Sequence, residues 1–527
     1  MQEPAPARAW NRSVVLVALA ATALTAIVYG GGLAHSPLYL TKDEVSYAIQ
    51  SDAIANTGHD VNGNRLPLFF QEPGFDIGRD PIYIYATAAL LQVQPLNART
   101  LRLPTVVAGA LAVGLVVLVA YEMYGSLTLA MLAGVLLAVT PVFFIRSRAA
   151  LAVILPVPFQ LLWLLFLLRY SRSGRLHQLL IGVGALGVGM YSYLAMLLFA
   201  PVHLLFSLAQ AVLCRRWRHA VMAVALFAVL LMPLAVWQRQ HPGRVDEMTS
   251  SYRVYPAGLT PLQGLKDVLS WSSLAVRSDL YWNAFNPSRL FFSGESSLVD
   301  STRTAGLYPA VYLFLLPLGL YDFVRRPITV VRLAALSMFL IGPIPGALVG
   351  RETISRYLIV SPLAALLAVG GLQRLWRTRW PAVRVTVPAS VLTSIVMFGG
   401  FYSDYMGGWR IRSAMYLGGN LQGAMERVLT MPSGSPDLVF LSERIPYVNV
   451  FWEYYRRAHH RDDLIGRDRG LRLQDGGWRQ PGGRAVAIVP GGDDTSASEM
   501  KAAGWSVVAE IYEFYGGRPS FVVLSRN

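Results

Sequence analysis

Residues 13–47, SVVLVALAATALTAIVYGGGLAHSPLYLTKDEVSY, join an apolar run of bilayer-spanning length to two adjacent carboxylates, Asp43 and Glu44. A spanning helix needs about 20 apolar residues, and residues 13–34 supply them. The run is too long for the apolar part of a signal peptide, and Gly30-Gly31-Gly32-Leu33-Ala34 is a poor cleavage site, so it reads as a first membrane span. The acidic pair then sits just beyond a membrane edge, in a chain whose apolar parts are almost free of carboxylates, and ionisable groups so placed are candidates for chemistry.

The same signal recurs along the chain. The 527 residues are 54% hydrophobic and only 15% charged, which excludes an ordinary soluble enzyme. Runs at 13–34, 104–121, 127–145, 149–168, 178–193, 195–213, 219–237, 305–322, 328–349, 357–374 and 384–403 predict a polytopic α-helical membrane protein with about 11 transmembrane helices. The net charge of +15 lies mostly in short segments between these runs, which marks membrane topology rather than a nucleic-acid partner. With a cytoplasmic N-terminus, Arg8, Arg12, Arg169, Arg172, Arg175, Arg215, Arg216, Arg218, Arg325, Arg326, Arg374, Arg377, Arg379 and Arg384 fall on the cytoplasmic side. Arg146 with Arg148, and Arg351 with Arg356, break the trend in short external loops. They are functional candidates, with lipid headgroup contact or helix capping as the plain alternative. The single cysteine, Cys214, excludes an internal disulfide.

An odd number of spans puts the C-terminus outside. The expected division is a transmembrane domain, 1–404, with external loops 35–103 and 238–304, and an extracytoplasmic soluble α/β domain, 405–527. Runs at 437–441, 485–489, 506–511 and 520–524 have strand length, and 447–459 and 496–503 suit helices. Loops as long as the two external ones usually carry function. Neither paired interrupted helices nor mid-span acids are evident, which disfavours an ion-coupled carrier; His203, the central ionisable side chain, reads as packing.

Thr41 followed three residues later by Glu44 fits a capping box, and Gly58 a C-terminal stop, so a helix is expected over 42–57. In that reading Glu44 caps and Asp43 complements the helix dipole. The functional reading makes Asp43 a base that takes a proton from an attacking hydroxyl or amine, with Glu44, otherwise the cap, orienting a substrate group and Tyr47, one turn on, ordering the acceptor. Asp76, Arg79 and Asp80 precede Pro81-Ile-Tyr83-Ile-Tyr85, an interfacial stretch. A cation beside carboxylates suits a sugar-phosphate site, with Asp76, Asp80 and Tyr83 toward the substrate; an ordinary surface ion pair explains it equally well.

In these motifs the chain resembles bacterial polyprenyl-phosphate-dependent glycosyltransferases of the GT-C superfamily, among them protein O-mannosyltransferases and the lipid A aminoarabinose transferase. The resemblance rests on Asp43-Glu44-Val45, then Thr57-Gly-His-Asp-Val-Asn-Gly-Asn-Arg-Leu-Pro67, Arg102-Leu103-Pro104, Ser147-Arg148, Tyr191-Ser192-Tyr193, Asn286-Pro-Ser-Arg-Leu-Phe-Phe-Ser-Gly294, Arg356-Tyr357-Leu358 and Tyr402-Ser-Asp404-Tyr405, in consistent order. It departs at Gly78-Arg79-Asp80-Pro81, where relatives have an acid and a lysine before a proline pair. The resemblance implies a GT-C fold in a bacterial inner membrane and inverting transfer of a sugar from a polyprenyl-phosphate donor to an extracytoplasmic protein, lipid or glycan. It also implies Asp43 as base and Arg356 as leading partner of the donor phosphate, followed by Arg79, Arg351 and Arg148. The scheme requires no cofactor, and two acids without a histidine cluster make a poor metal site, although paired carboxylates are able to hold a divalent ion. The competing readings are a carrier or flippase for lipid-linked sugars, and a polysaccharide polymerase or ligase using lipid-diphosphate donors.

Overall fold

In the computed structural model, the described residues are 12–71, 78–243, 254–256, 258–350, 353–492, 494–514 and 516–526. Every one of the eleven apolar runs forms helix, but not equal helix. Among the described residues seven segments are long and apolar enough to span a membrane: Arg12–Gly30, Ala98–Tyr124, Ala152–Ser173, Met196–Leu213, Trp217–Gln240, Val330–Val349 and Pro381–Met406. An eighth, Leu127–Ala138 with Pro141–Ser147, is bent by 67° where Pro141 begins the second half. The runs near 178–193, 305–322 and 357–374 become the shorter helices Leu176–Gly189, Tyr312–Arg325 and Val360–Trp376. A helix of 14 residues rises only about 21 Å against a hydrocarbon core of about 30 Å. Apolarity therefore marked the segments correctly, while their helical length was set by turns that hydropathy does not register.

By its internal contacts the chain forms two compact units of discontinuous sequence. The first comprises 1–31, 66–83 and 102–402 and holds the helices just described apart from the first turn of Ala98–Tyr124 and the last of Pro381–Met406. Helices Tyr312–Arg325 and Val360–Trp376 pack closely, and glycine makes that approach feasible. A Cβ at Gly319 would lie 1.8 Å from the Leu367 carbonyl oxygen, and one at Gly371 2.4 Å from that of Leu315. Two short strands, β1 (Phe70–Gln71) and β2 (Gly78–Arg79), pair antiparallel, with Phe70 opposite Arg79.

The second unit comprises 32–65, 84–101 and 403–527. Its sheet contains β3 (Leu438–Ser442), β4 (Asp468–Leu471), β5 (Ala485–Pro490), β6 (Ser506–Ile511) and β7 (Phe521–Arg526) in the order β4-β3-β5-β7-β6. The β3 strand pairs parallel with β4 and β5, whereas β7 pairs antiparallel with β5 and β6. Central β5 reads as an unbroken apolar run because Ala485 to Val489 are all buried. Edge strand β4 escaped the sequence pattern, since Asp468-Arg469-Gly470 carries the charge and glycine that favour an edge over a core. Phe440, Ala487, Val489, Met500, Trp505 and Leu524 close a hydrophobic core.

Candidate active site

The acid helix runs over Lys42–Thr57, and Thr41 caps it as the spacing predicts. The Thr41 backbone N–H donates to Glu44 Oε2 at 2.8 Å, and the Glu44 N–H donates to Thr41 Oγ1 at 3.3 Å. Gly58, at φ 70°, donates its N–H to Ile54 and ends the helix. The two acids consequently differ. Glu44 is only 2% exposed and engaged in the cap, whereas the Asp43 side chain is 52% exposed, its Oδ1 4.0 Å from Lys42 Nζ. Lys42 itself lies over the Tyr447 ring, 5.1 Å from its centroid. Tyr47 is buried one turn along.

The segment leading into this helix is anchored on residues far away in sequence. Ser36 Oγ donates to the Tyr405 carbonyl at 2.8 Å, His35 Nε2 lies 3.1 Å from the Met406 carbonyl, and Tyr39 donates to Glu513 Oε2 at 3.0 Å. Buried Glu513 also accepts from the Asn420 N–H at 2.5 Å and Ser520 Oγ at 2.9 Å. The helix then packs on Val448–Ala458, where Arg457 reaches Asp52 at 3.0 Å. Beyond Gly58, Asp60 accepts from the N–H groups of Asn62 (2.9 Å) and Asn64 (2.7 Å) and from Asn64 Nδ2 (2.9 Å). The acid of that loop motif therefore builds a turn. Burial, with the Asp60 charge added, pushes the Tyr85 phenol up to about 12.

In the first unit Arg356 is half-buried on a single 3₁₀ turn, Ile354–Tyr357, held by two cation–carboxylate couples. Asp300 accepts from Ser355 Oγ at 2.6 Å and from Arg146 Nε at 2.6 Å, and both charged partners are buried. Glu295 pairs with Arg289 and accepts from the Ile354 N–H at 3.4 Å, while Arg289 also donates to the Tyr357 hydroxyl at 3.1 Å. Arg289 lies inside the Asn286–Gly294 motif, and Arg146 among the arginines against the charge trend. Asp300 and Glu295 carried no local signal, because their partners are distant in sequence.

Arg148 is fully buried, donating to the carbonyls of Tyr29 and Gly31 beside the Phe144 ring. It caps the C-terminal end of helix Arg12–Gly30, the structural alternative to a phosphate contact. Arg79 is 8% exposed on β2, Asp80 follows it at intermediate burial, and Tyr83 is completely buried in helix Pro81–Leu91. Asp76 and Arg351 lie outside the described residues. Among the described residues no group of three or more His, Cys, Asp or Glu side chains is placed to hold a metal ion.

The architecture has solved counterparts. ArnT from Cupriavidus metallidurans bound to undecaprenyl phosphate superposes with a TM-score of 0.61 at 13% identity, covering 96% of this chain and 97% of that one. Its apo form gives 0.58 at 14% identity over the same shares. The chain therefore shares its fold with ArnT. A sequence profile of the family described as dolichyl-phosphate-mannose-protein mannosyltransferase matches residues 78–237 of the chain. That match takes in Arg79, Asp80, Tyr83 and Arg148 but neither Asp43 nor Arg356. The archaeal oligosaccharyltransferase AglB from Archaeoglobus fulgidus is more distant, with a TM-score of 0.47 at 14% identity over 85% of this chain and 64% of its own. No curated protein sequence matches the chain.

Proposed function

We propose that this chain is a multi-pass membrane glycosyltransferase of the GT-C superfamily that moves a sugar from a polyprenyl-phosphate donor to an extracytoplasmic acceptor with inversion at the anomeric carbon. The carboxylate of Asp43 takes the proton of the acceptor hydroxyl or amine as its heteroatom bonds to the anomeric carbon. The bond from that carbon to the phosphate oxygen breaks, and polyprenyl phosphate leaves. Arg356 and Arg79 are assigned to the phosphate, where a guanidinium offsets the charge of the leaving group.

The observation that carries this reading is the division of labour in the acid pair: Glu44 is buried in the capping box while Asp43 remains 52% exposed. A capping box needs only the acid at its third helical position, so it gives no account of the second, exposed acid beside it. The fold shared with a structure of ArnT bound to undecaprenyl phosphate supports a polyprenyl-phosphate donor. The test is turnover of matched polyprenyl-monophosphate and polyprenyl-diphosphate sugars by the purified protein in nanodiscs, with a panel of acceptors. Release of polyprenyl phosphate from the monophosphate alone is expected. Preference for the diphosphate makes the protein a polymerase or ligase, and donor movement across the bilayer without turnover makes it a carrier.

A further inference from the structure

At one end of the first unit's helix bundle lies a cavity of about 410 Å³. Helices Ala98–Tyr124, Ala152–Ser173, Tyr312–Arg325 and Val360–Trp376 finish around it, and Val330–Val349 begins there. Its lining is amphipathic: Arg172, Arg326 and Arg332 with Asp322 on the polar side, Leu164 and Val331 on the apolar side. Three guanidinium groups against one carboxylate leave the lining net cationic.

The positive-inside pattern explains why arginines gather at this end of the bundle, but not how they are held. Asp322 accepts from Arg326 at 2.5 Å, and Glu122, itself only 1% exposed, pairs with Arg172. Arg332 differs. Its Nη1 donates to the Pro327 carbonyl at 3.2 Å, its Nη2 to that of Phe323, and its guanidinium lies 4.4 Å from the Phe323 ring centroid. It makes no ion pair with a carboxylate among the described residues. A side chain that merely follows the charge rule extends into water, whereas this one is fixed at the wall of a cavity whose other wall is hydrocarbon.

We infer that this cavity binds the phosphodiester headgroup of an anionic phospholipid, with Arg326 and Arg332 on the phosphate and the first acyl methylenes along Leu164 and Val331. Basic pockets between transmembrane helices recognise anionic headgroups through this chemistry, and a volume of this size accommodates a glycerophosphate with part of its chains. The site is independent of Asp43 and of the transfer reaction.

The experiment is native mass spectrometry of the full chain, delipidated in detergent and titrated with phosphatidylglycerol or phosphatidylcholine, with inorganic phosphate as a separate arm. The wild type is expected to retain one phosphatidylglycerol in preference to phosphatidylcholine. Arg326→Gln/Arg332→Gln should weaken that retention about thirtyfold, the loss expected for two guanidinium contacts to an anionic headgroup. Arg379→Gln, which removes an exposed charge outside the cavity, should leave it unchanged. Equal retention of the two lipids by the wild type overturns the proposal, as does equal loss in the Arg379 variant. Displacement of phosphatidylglycerol by millimolar inorganic phosphate also overturns it, because the site then serves a soluble phosphate. The wild-type comparison of lipids decides even where the double variant does not fold.

Discussion

Asp43 and Glu44 are chemically alike and one bond apart in the chain, yet the helix start assigns them different work. Glu44→Ala removes one side of the capping box and should lower stability by about 1 kcal/mol, read as a fall in thermal midpoint, while measurable transfer remains. The turn that holds Arg356 makes a second graded comparison. Ser355→Ala removes a single hydrogen bond to Asp300 and should cost about 1 kcal/mol. Asp300→Ala leaves buried Arg146 without its carboxylate and should cost about 3–5 kcal/mol. Thermal unfolding checks both, and equal losses contradict the account of the turn. The sequence exposed one member of this network and hid the other. Arg146 stood out against the charge trend, but Asp300 is 154 residues away, and nothing local marks a carboxylate as the partner of so distant a cation.

At the scale of elements, helix Lys42–Thr57 was legible because its start and stop are local chemistry: Thr41 with Glu44, then Gly58. Its anchoring was not, because Tyr39 and Glu513 are 474 residues apart. The helix on which it packs, Val448–Ala458, carries a pH dependence. Burial raises the Glu453 carboxyl, but hydrogen bonds from Arg456 and the charges of Arg457 and Arg456 outweigh it and hold the group below its ordinary value. A carboxylate depressed in the folded state contributes stability at pH above its unfolded value, near 4.3, and loses it as pH falls further. Circular dichroism of the full chain in detergent should therefore show acid destabilisation beginning near pH 4. Glu453→Gln should flatten that dependence, and an unchanged profile contradicts it. In the membrane unit, Gly319→Ala forces a Cβ against the Leu367 carbonyl and should cost about 1–3 kcal/mol in thermal stability.

For the whole molecule, hydropathy made the polytopic class plain, and short apolar runs of strand length exposed four of the five strands of the second unit's sheet. Neither shows that residues 32–65 and 84–101 form one compact unit with 403–527, since that assembly depends on contacts between sequence-distant groups. The orientation expected from the arginine distribution is open to test through the single cysteine. In right-side-out vesicles a membrane-impermeant maleimide should spare exposed Cys214 and label Ser433→Cys made in a Cys214→Ser background. The reverse pattern inverts the topology and removes Asp43 from the extracytoplasmic face. The central claim is that Asp43 is the base, and single-turnover transfer from a labelled polyprenyl-phosphate sugar, alongside donor binding, tests it most directly. Asp43→Asn should bind donor as the wild type does and lose transfer by at least about 100-fold, the contribution of a positioned base. Wild-type transfer by Asp43→Asn would contradict the account and return Asp43 to the role of a charge at a helix N-terminus.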